Sequence, residues 1–426
     1  MSFCLIKKSA ILCPKPVNWP LFQVMFLLLP CMWLSANNED TANRINEVLT
    51  SGGFRNVATV ISGDSIFLTF ENYDYRFESD AIKAVLVKTI SVLTMPTRYK
   101  VLILLPQKNQ VPVIAVVVSL NRYNSRTEDN TGIDNTMDDI YVTARLGGYQ
   151  KKLINIPGHN SLISNIDIEV KPQLRLQLGD YDYPVKYQFC LLPAISTSLW
   201  KGMHFTYQLV IPALTYHYVD KYNFIRPGII TISQLFRLPE DILSAFTLGY
   251  FTRNRYGLDF EIGKYFINQR FFCSVNSGYT GNAEFIQAGS FGSSFEYGEM
   301  NYFTYRTSIN YIIPKYAMVL NVTAGKYLYH QKAVEAAISR HFNEYFLSLN
   351  ASLTNEGTNF GVSISVPLYP AKYSSNKKIR IRPSECFNYS YLAARNFTYY
   401  YETEENFYSW IKNFDTYFVK YQLKQN

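Results

Sequence analysis

Residues 165–178 read NIDIEVKPQLRLQL, with Ile166, Ile168, Val170, Pro172, Leu174, Leu176 and Leu178 at every second position and Asn165, Asp167, Glu169, Lys171, Gln173, Arg175 and Gln177 between them. Side chains of a strand point alternately to opposite faces, so this stretch predicts a strand apolar along one whole face and charged along the other. The alternation returns in RYGLDFEIGKYF (255–266), YAMVLNVTA (316–324), EYFLSLNASL (344–353) and NFGVSISVPL (359–368), and more weakly in KAVEAAIS (332–339). Taken together the pattern predicts about twelve antiparallel strands, at 165–178, 185–199, 203–212, 228–237, 242–252, 255–266, 270–280, 301–313, 316–324, 332–340, 344–353 and 359–368.

Upstream the period changes. Residues 40–50 read as a helix stopped by Gly52 and Gly53, and a second helix starts at Ser79 or Asp80 and breaks at Pro96. Two strands follow each helix: 55–61 and 65–71 across Ser62-Gly63-Asp64, then 99–105 and 111–120 across QKNQ. Residues 40–120 are therefore expected to form a compact α+β module of αββαββ order, with the oily runs VLILL and VIAVVV as its core. Residues 121–164, rich in Asn, Asp, Thr and Gly, read as a linker, within which DIYVTARL (139–146) is an extra strand or a plug segment.

Two architectures accept strands like 165–178. One is a soluble sandwich with a wet face, the other a transmembrane barrel with lipid outside and a watery lumen inside. The connections separate them. Numbered in chain order, the odd ones include every long one, such as 213–227 and 281–300, and the even ones are tight turns. Outer-membrane barrels have short periplasmic turns and longer outer loops, whereas a Greek-key sandwich has no reason for such parity. A strand of about fourteen residues, rising about 3.3 Å each and tilted near 45°, reaches roughly 30 Å, enough for the apolar band. The expected fold is an all-β transmembrane barrel over 165–368, with the module on its periplasmic side.

Composition is compatible with this. Aromatic residues are 16% and charged residues 17%, with 35 Tyr and 29 Phe against 4 Trp, a mixture that suits alternating strands between aromatic girdles. The formal charge of +8 is thinly spread, and no basic stripe or recognition motif makes nucleic acid an expected partner. Cys190, Cys273 and Cys386 are too scattered for a disulfide framework or a metal site and read as small apolar fillers. Lys7, Lys8 and Lys15 precede the apolar run LFQVMFLLLPCMWL (21–34), so 1–36 is expected to be an export signal cut near Ala36. Cys31 is an alternative lipidation site, although Pro30 departs from a lipobox. No later stretch has the roughly 18 uninterrupted apolar residues of a membrane helix, which leaves a closed barrel as the way to span.

After the last expected strand, PAKYSSNKKIRIRPSECF is basic and extended and reads as a solvated charge run. Phe407, Trp410, Ile411, Phe414 and Phe418 stand at helical spacing, so the tail over 369–426 is expected to end in a helix docked on protein.

Candidate chemistry is sparse. No G-x-S-x-G, P-loop, H-E-x-x-H or C-x-x-C occurs, and no cofactor or metal is expected. GSFGSS (289–294) reads as a flexible turn. The residues expected to face a lumen are Asp167, Glu169, Lys171, Arg175, Arg253, Arg255, Asp259, Glu261, Arg306 and Glu335; both signs occur, which points to cross-lumen ion pairs. His204 shares a face with Thr206 and Gln208, and a pairing with Asp259 would be the seed of a hydrolase, but one such pair makes weak chemistry, and the chain is not expected to be an enzyme.

GFRNVATVISGDSIFLTFENYDYR (53–76), SLWKGMHFTYQLVIP, RPGIITISQLFRLP, GYFTRNRYGLDFEIGKYF and KKIRIRP together resemble the YjbH/GfcD-like family of exopolysaccharide and capsule biosynthesis proteins, most specifically in RNRYGLDFEIGKYF. The resemblance covers most of the chain after the leader. It implies a barrel in the outer membrane of a Gram-negative bacterium that assists secretion or assembly of an extracellular polysaccharide, without known catalysis. The partners it implies are outer-membrane lipid, the polysaccharide and periplasmic polysaccharide-export proteins. A general porin for small solutes, an outer-membrane hydrolase acting through His204, and a soluble sugar-binding sandwich are the alternatives.

Overall fold

The computed structural model describes residues 38–93, 97–120, 140–153, 156, 158–179, 181–218, 222–288, 292–373, 378–393, 398–403 and 411–425. The expected export signal over 1–36, with Cys31, lies outside the described residues, as do Phe407 and Trp410.

Two sheets organise the chain. The first holds β1 (Arg55–Ser62), β2 (Ser65–Glu71), β3 (Val101–Lys108), β4 (Val111–Pro112), β5 (Ala115–Ser119) and β6 (Ile140–Thr143), ordered β1-β2-β3-β5-β6 with β4 against β3. Strands β2 and β3 run parallel because helix α2 (Glu78–Val92) carries the chain back between them. Helix α1, residues 38–51, joins α2 on the sheet, and Ile45, Leu49, Ile82 and Val85 bury themselves with Leu68, Leu102 and Leu104. DIYVTARL supplies an extra strand: β6 pairs with β5, Ile140 and Val142 inward and Tyr141 outward.

In the second sheet, β7 (Ile166–Leu178), β8 (Val185–Thr197), β9 (Met203–Tyr216), β10 (Arg226–Leu238), β11 (Ile242–Phe251), β12 (Arg255–Phe266), β13 (Phe271–Ala288), β14 (Gly292–Ile313), β15 (Met318–Lys326), β16 (Lys332–Phe342), β17 (Tyr345–Thr354) and β18 (Gly357–Pro367) each pair antiparallel with the next. Every strand expected from the alternation is present.

The expected loop over 281–300 is corrected. β13 and β14 run on past their other neighbours as a hairpin, pairing Ala283 with Tyr297 and Phe285 with Phe295. Register shifts around Gly281 let the ladder continue out of step with the sheet, which is why no steady period marks this stretch. GSFGSS therefore leads into β14 from Gly292, residues 289–291 lying outside the described ones. The loop asymmetry survives as strand extension at the odd-numbered end.

The strand number of the large sheet is corrected too, from about twelve to fourteen among the described residues. β19 (Ile379–Pro383) pairs parallel with β7, and β20 (Cys386–Leu392) pairs antiparallel with β18. They are one stretch of chain stepping from the first strand of the meander to the last. At the step, Ser384 N–H donates to the Val170 carbonyl (3.1 Å) and Leu368 N–H to the Glu385 carbonyl (3.0 Å). The solvated charge run expected over PAKYSSNKKIRIRPSECF is thus, at IRIRP, half of a seam. Ile379 and Ile381 lie exposed beside Ile166 and Ile168, while Arg380 and Arg382 ion-pair with Asp167 and Arg382 also with Glu169. IRIR and IDIE alternate in phase, which makes one register satisfy both faces.

The module sits against the even-numbered turns. Arg237 donates to the carbonyls of Pro112 (3.1 Å), Val113 (2.9 Å) and Ala144 and to Asp241 Oδ1 (2.8 Å), while Gln269 accepts Ala144 N–H. Arg76 reaches the Leu368 carbonyl (2.6 Å) and Glu344. One continuous core runs from Ile82 and Leu102 to Leu243, Tyr265 and Phe272 of the large sheet. The C-terminal helix, Thr416–Gln425, is capped by Asp415, whose Oδ1 accepts the Phe418 (2.8 Å) and Tyr417 (3.0 Å) N–H groups. Phe414, Val419 and Leu423 enter that same core.

Candidate functional site

Burial in the large sheet is inverted relative to a water-soluble protein. Along β12, Phe260 is 42% exposed while Asp259 between it and Leu258 is 4% exposed, and Arg255 and Glu261 are also buried. The neighbouring strands agree: Phe246, Leu248, Val275, Phe303 and Ile309 are exposed, whereas Thr231, Ser233, Thr247, Asn276 and Thr304 are buried. Apolar side chains therefore form the open face and polar ones the closed face.

What covers part of the polar face is the tail segment TYYYET, residues 398–403. Tyr401 stacks on Phe251 with centroids 5.2 Å apart at 13°, and its hydroxyl donates to Asp259 Oδ2 (2.8 Å), while Asp259 Oδ1 accepts Asn276 Nδ2–H (2.8 Å). A Cβ at Gly278 would stand 1.6 Å from the Tyr401 hydroxyl oxygen, so glycine is what lets this side chain approach. The Arg306 guanidinium lies over the Tyr400 ring at 3.1 Å. Thr398 and Tyr327 hydroxyls (2.5 and 2.6 Å) both donate to the Glu335 carboxylate. The backbone is held as well: Tyr399 N–H donates to Gln331 Oε1 (3.0 Å), Leu328 N–H to the Tyr399 carbonyl (3.0 Å), and Glu402 N–H to Thr252 Oγ1 (2.7 Å).

The ten charged candidates divide accordingly. Asp259, Arg306 and Glu335 touch the tail directly, and Arg253 stands over the Tyr399 ring at 5.8 Å. Glu261 is buried two residues along from Asp259, and Arg255 covers the Tyr302 ring at 4.3 Å. Asp167 and Glu169 belong to the seam, so the expected cross-lumen ion pairs are replaced there by pairing within one sheet. Lys171 and Arg175 are half-buried on β7, outside the strands that the tail touches. His204 is on β9, opposite Ser233, and Ser233 and Thr247 lead across the register to Asp259. Three strand spacings, about 14 Å in all, separate that histidine from the carboxylate, too far for a hydrogen bond.

Tyr399, Tyr400 and Tyr401 escaped the reading of the chain because three successive tyrosines carry no period. Among the described residues, Cys190, Cys273 and Cys386 form no disulfide, and Cys190 and Cys386 are buried.

At the module end, burial perturbs several carboxyls, Glu78 and Asp415 among them. Burial pushes Glu78 up to about 8, with Glu71 and Glu385 adding repulsion against a hydrogen bond from Asn72. Burial likewise lifts Asp415 to about 6, opposed by the helix N–H groups it caps.

This geometry defines a class: a β-sheet protein with its apolar face outward and its polar face inward, filled in part by its own tail. None of its described helices is long and apolar enough to cross a membrane. The chain belongs to the YjbH family, described as exopolysaccharide biosynthesis protein YbjH, whose profile matches residues 29–380. Among solved structures it is similar to a loop L8 deletion mutant of OmpT, an outer membrane protein of Vibrio cholerae, at 9% identity over 47% of this chain and 86% of that one. The TM-score of 0.27 is too low to carry an argument. No curated protein matches.

Proposed function

We propose that the protein is an outer-membrane β-barrel that assists secretion or assembly of an extracellular polysaccharide. The observation that carries this reading is the inverted burial of strands such as β12, with Phe260 open and Asp259 closed. Apolar area loses roughly 25 cal/mol per Å² when left in water, so an open apolar face of this extent calls for hydrocarbon around it. A sheet in lipid cannot leave backbone edges bare, and the pairing of the stretch 379–392 with both β7 and β18 supports the reading of a closed sheet. The short even-numbered turns under the module then face the periplasm, where the module meets polysaccharide-export proteins, and the polar face lines a lumen.

The role is read as non-catalytic, since Asp259 is engaged by Tyr401 and Asn276 and His204 stands three strands away. Occupation of the polar face by the tail supports a guided rather than a general diffusion path. Deleting the gene and weighing the secreted polysaccharide tests the role: yield should fall, and an unchanged yield removes it. Carbonate washing tests the location, because a protein released into the wash is not a membrane barrel.

A further inference from the structure

We propose that the strip of polar face occupied by residues 398–403 is a binding site for a neutral, hydroxyl-rich saccharide, and that the tail is its internal occupant. This rests on the functional reading above and names the groups that meet the sugar.

Tyr401 offers the wall what a sugar ring offers: a flat face of carbon and hydrogen with a hydroxyl at its rim. The face lies on Phe251 and the hydroxyl donates to Asp259. Thr398 repeats the hydroxyl-to-carboxylate contact at Glu335. Rings for stacking and fixed polar groups for hydroxyls are the combination by which concave sites select saccharides. The bare Cα of Gly278 leaves room for a ring's rim directly beside Asp259.

The polar strip continues beyond the tail. Thr206 and Thr231 face each other across β9 and β10, both buried, and neither hydroxyl has a hydrogen-bond partner. Their row runs on through Gly249 and Gly257 to Thr280, where absent side chains keep the wall low. Asn276, having given its amide to Asp259, keeps a buried Oδ1 without a donor. Buried polar atoms left unpaired cost free energy, so these groups gain by meeting a polar ligand. The tail is a displaceable occupant: residues 398–403 join no strand or helix.

The test uses the full chain in detergent micelles and maltohexaose as the probe, with affinity measured by calorimetry. Replacing Tyr400→Ser and Tyr401→Ser together should tighten binding at least tenfold, and adding Asp259→Asn should abolish the gain. Affinity no better than the parent's overturns the proposal. Should the double variant fail to show a folded gel mobility, Tyr401→Phe keeps the ring stack, loses only the donor and should bind about threefold tighter. In the parent, saturating maltohexaose should speed hydrogen exchange at the Tyr399 and Glu402 amides; unchanged or slower exchange also overturns the proposal. Binding is read independently of secretion. Lost binding with a null strain deficient in polysaccharide defeats this site alone, whereas measured binding with normal polysaccharide in the null strain defeats the secretion role alone.

Discussion

Replacing Asp167→Asn tests whether the seam holds the large sheet together. Asp167 accepts from Arg380 Nε (2.7 Å) and Nη2 and from Arg382 Nε (3.1 Å), and all three side chains are largely shielded, at 10% to 15% exposure. Removing one member of a shielded ion pair strands its partner's charge, at about 3–5 kcal/mol when burial is complete. Glu169 still neutralises Arg382, so the lower end, about 3 kcal/mol, is expected. The loss falls where one five-residue strand, β19, is the link to β7. Denaturant unfolding in lipid vesicles, followed by the folded-to-unfolded shift in gel mobility, measures it. The exchange Asp167→Arg with Arg380→Asp should recover part of the loss, though Arg380 also donates to the Tyr73 carbonyl, a bond aspartate cannot make. A loss under about 0.5 kcal/mol, the level of an exposed pair, would refute the idea that this pairing secures the seam.

Four further outcomes are expected. Gly278→Ala drives a methyl into the Tyr401 hydroxyl and should cost about 1–3 kcal/mol while raising conductance in planar bilayers; unchanged conductance would mean the tail does not obstruct the lumen. Leu258→Arg should destabilise the protein by about 2–4 kcal/mol in vesicles if its face meets lipid, and a neutral result contradicts the barrel. Arg237→Ala strips donors from three module carbonyls and should make 97–120 more susceptible to limited proteolysis than in the parent. Glu78 has its folded pKa raised, so its stabilising neutral form is fully present below about 4.5 and lost as pH rises through about 8. Module melting temperature should fall across that window, and Glu78→Gln should flatten the slope; Asp415 adds a decline in the same direction, ending near 6.

Much of the large sheet was legible in the chain because its signal is local. Ile166 to Leu178, Tyr256 to Phe266 and Phe360 to Leu368 each state their period within one strand, and neighbours in the meander are neighbours in sequence. Where period faded, legibility faded with it, as in the hairpin beyond Gly281, whose residues pair chiefly with one another. The alternation also told which residues share a face. It did not tell which face is closed, since both a sandwich and a barrel obey it.

Tertiary structure decided the rest through contacts between distant residues. IRIR looked like a charge run until its phase met IDIE, more than two hundred positions earlier, and Arg380 found Asp167. TYYYET looked like tail until Phe251, Gly278 and Asp259, from three different strands, formed the place for Tyr401. Backbone period is set by a residue's immediate neighbours, and so it is written along the chain. The partner of a charge or a ring is set by which strands the sheet brings side by side, and this is known only once the sheet exists.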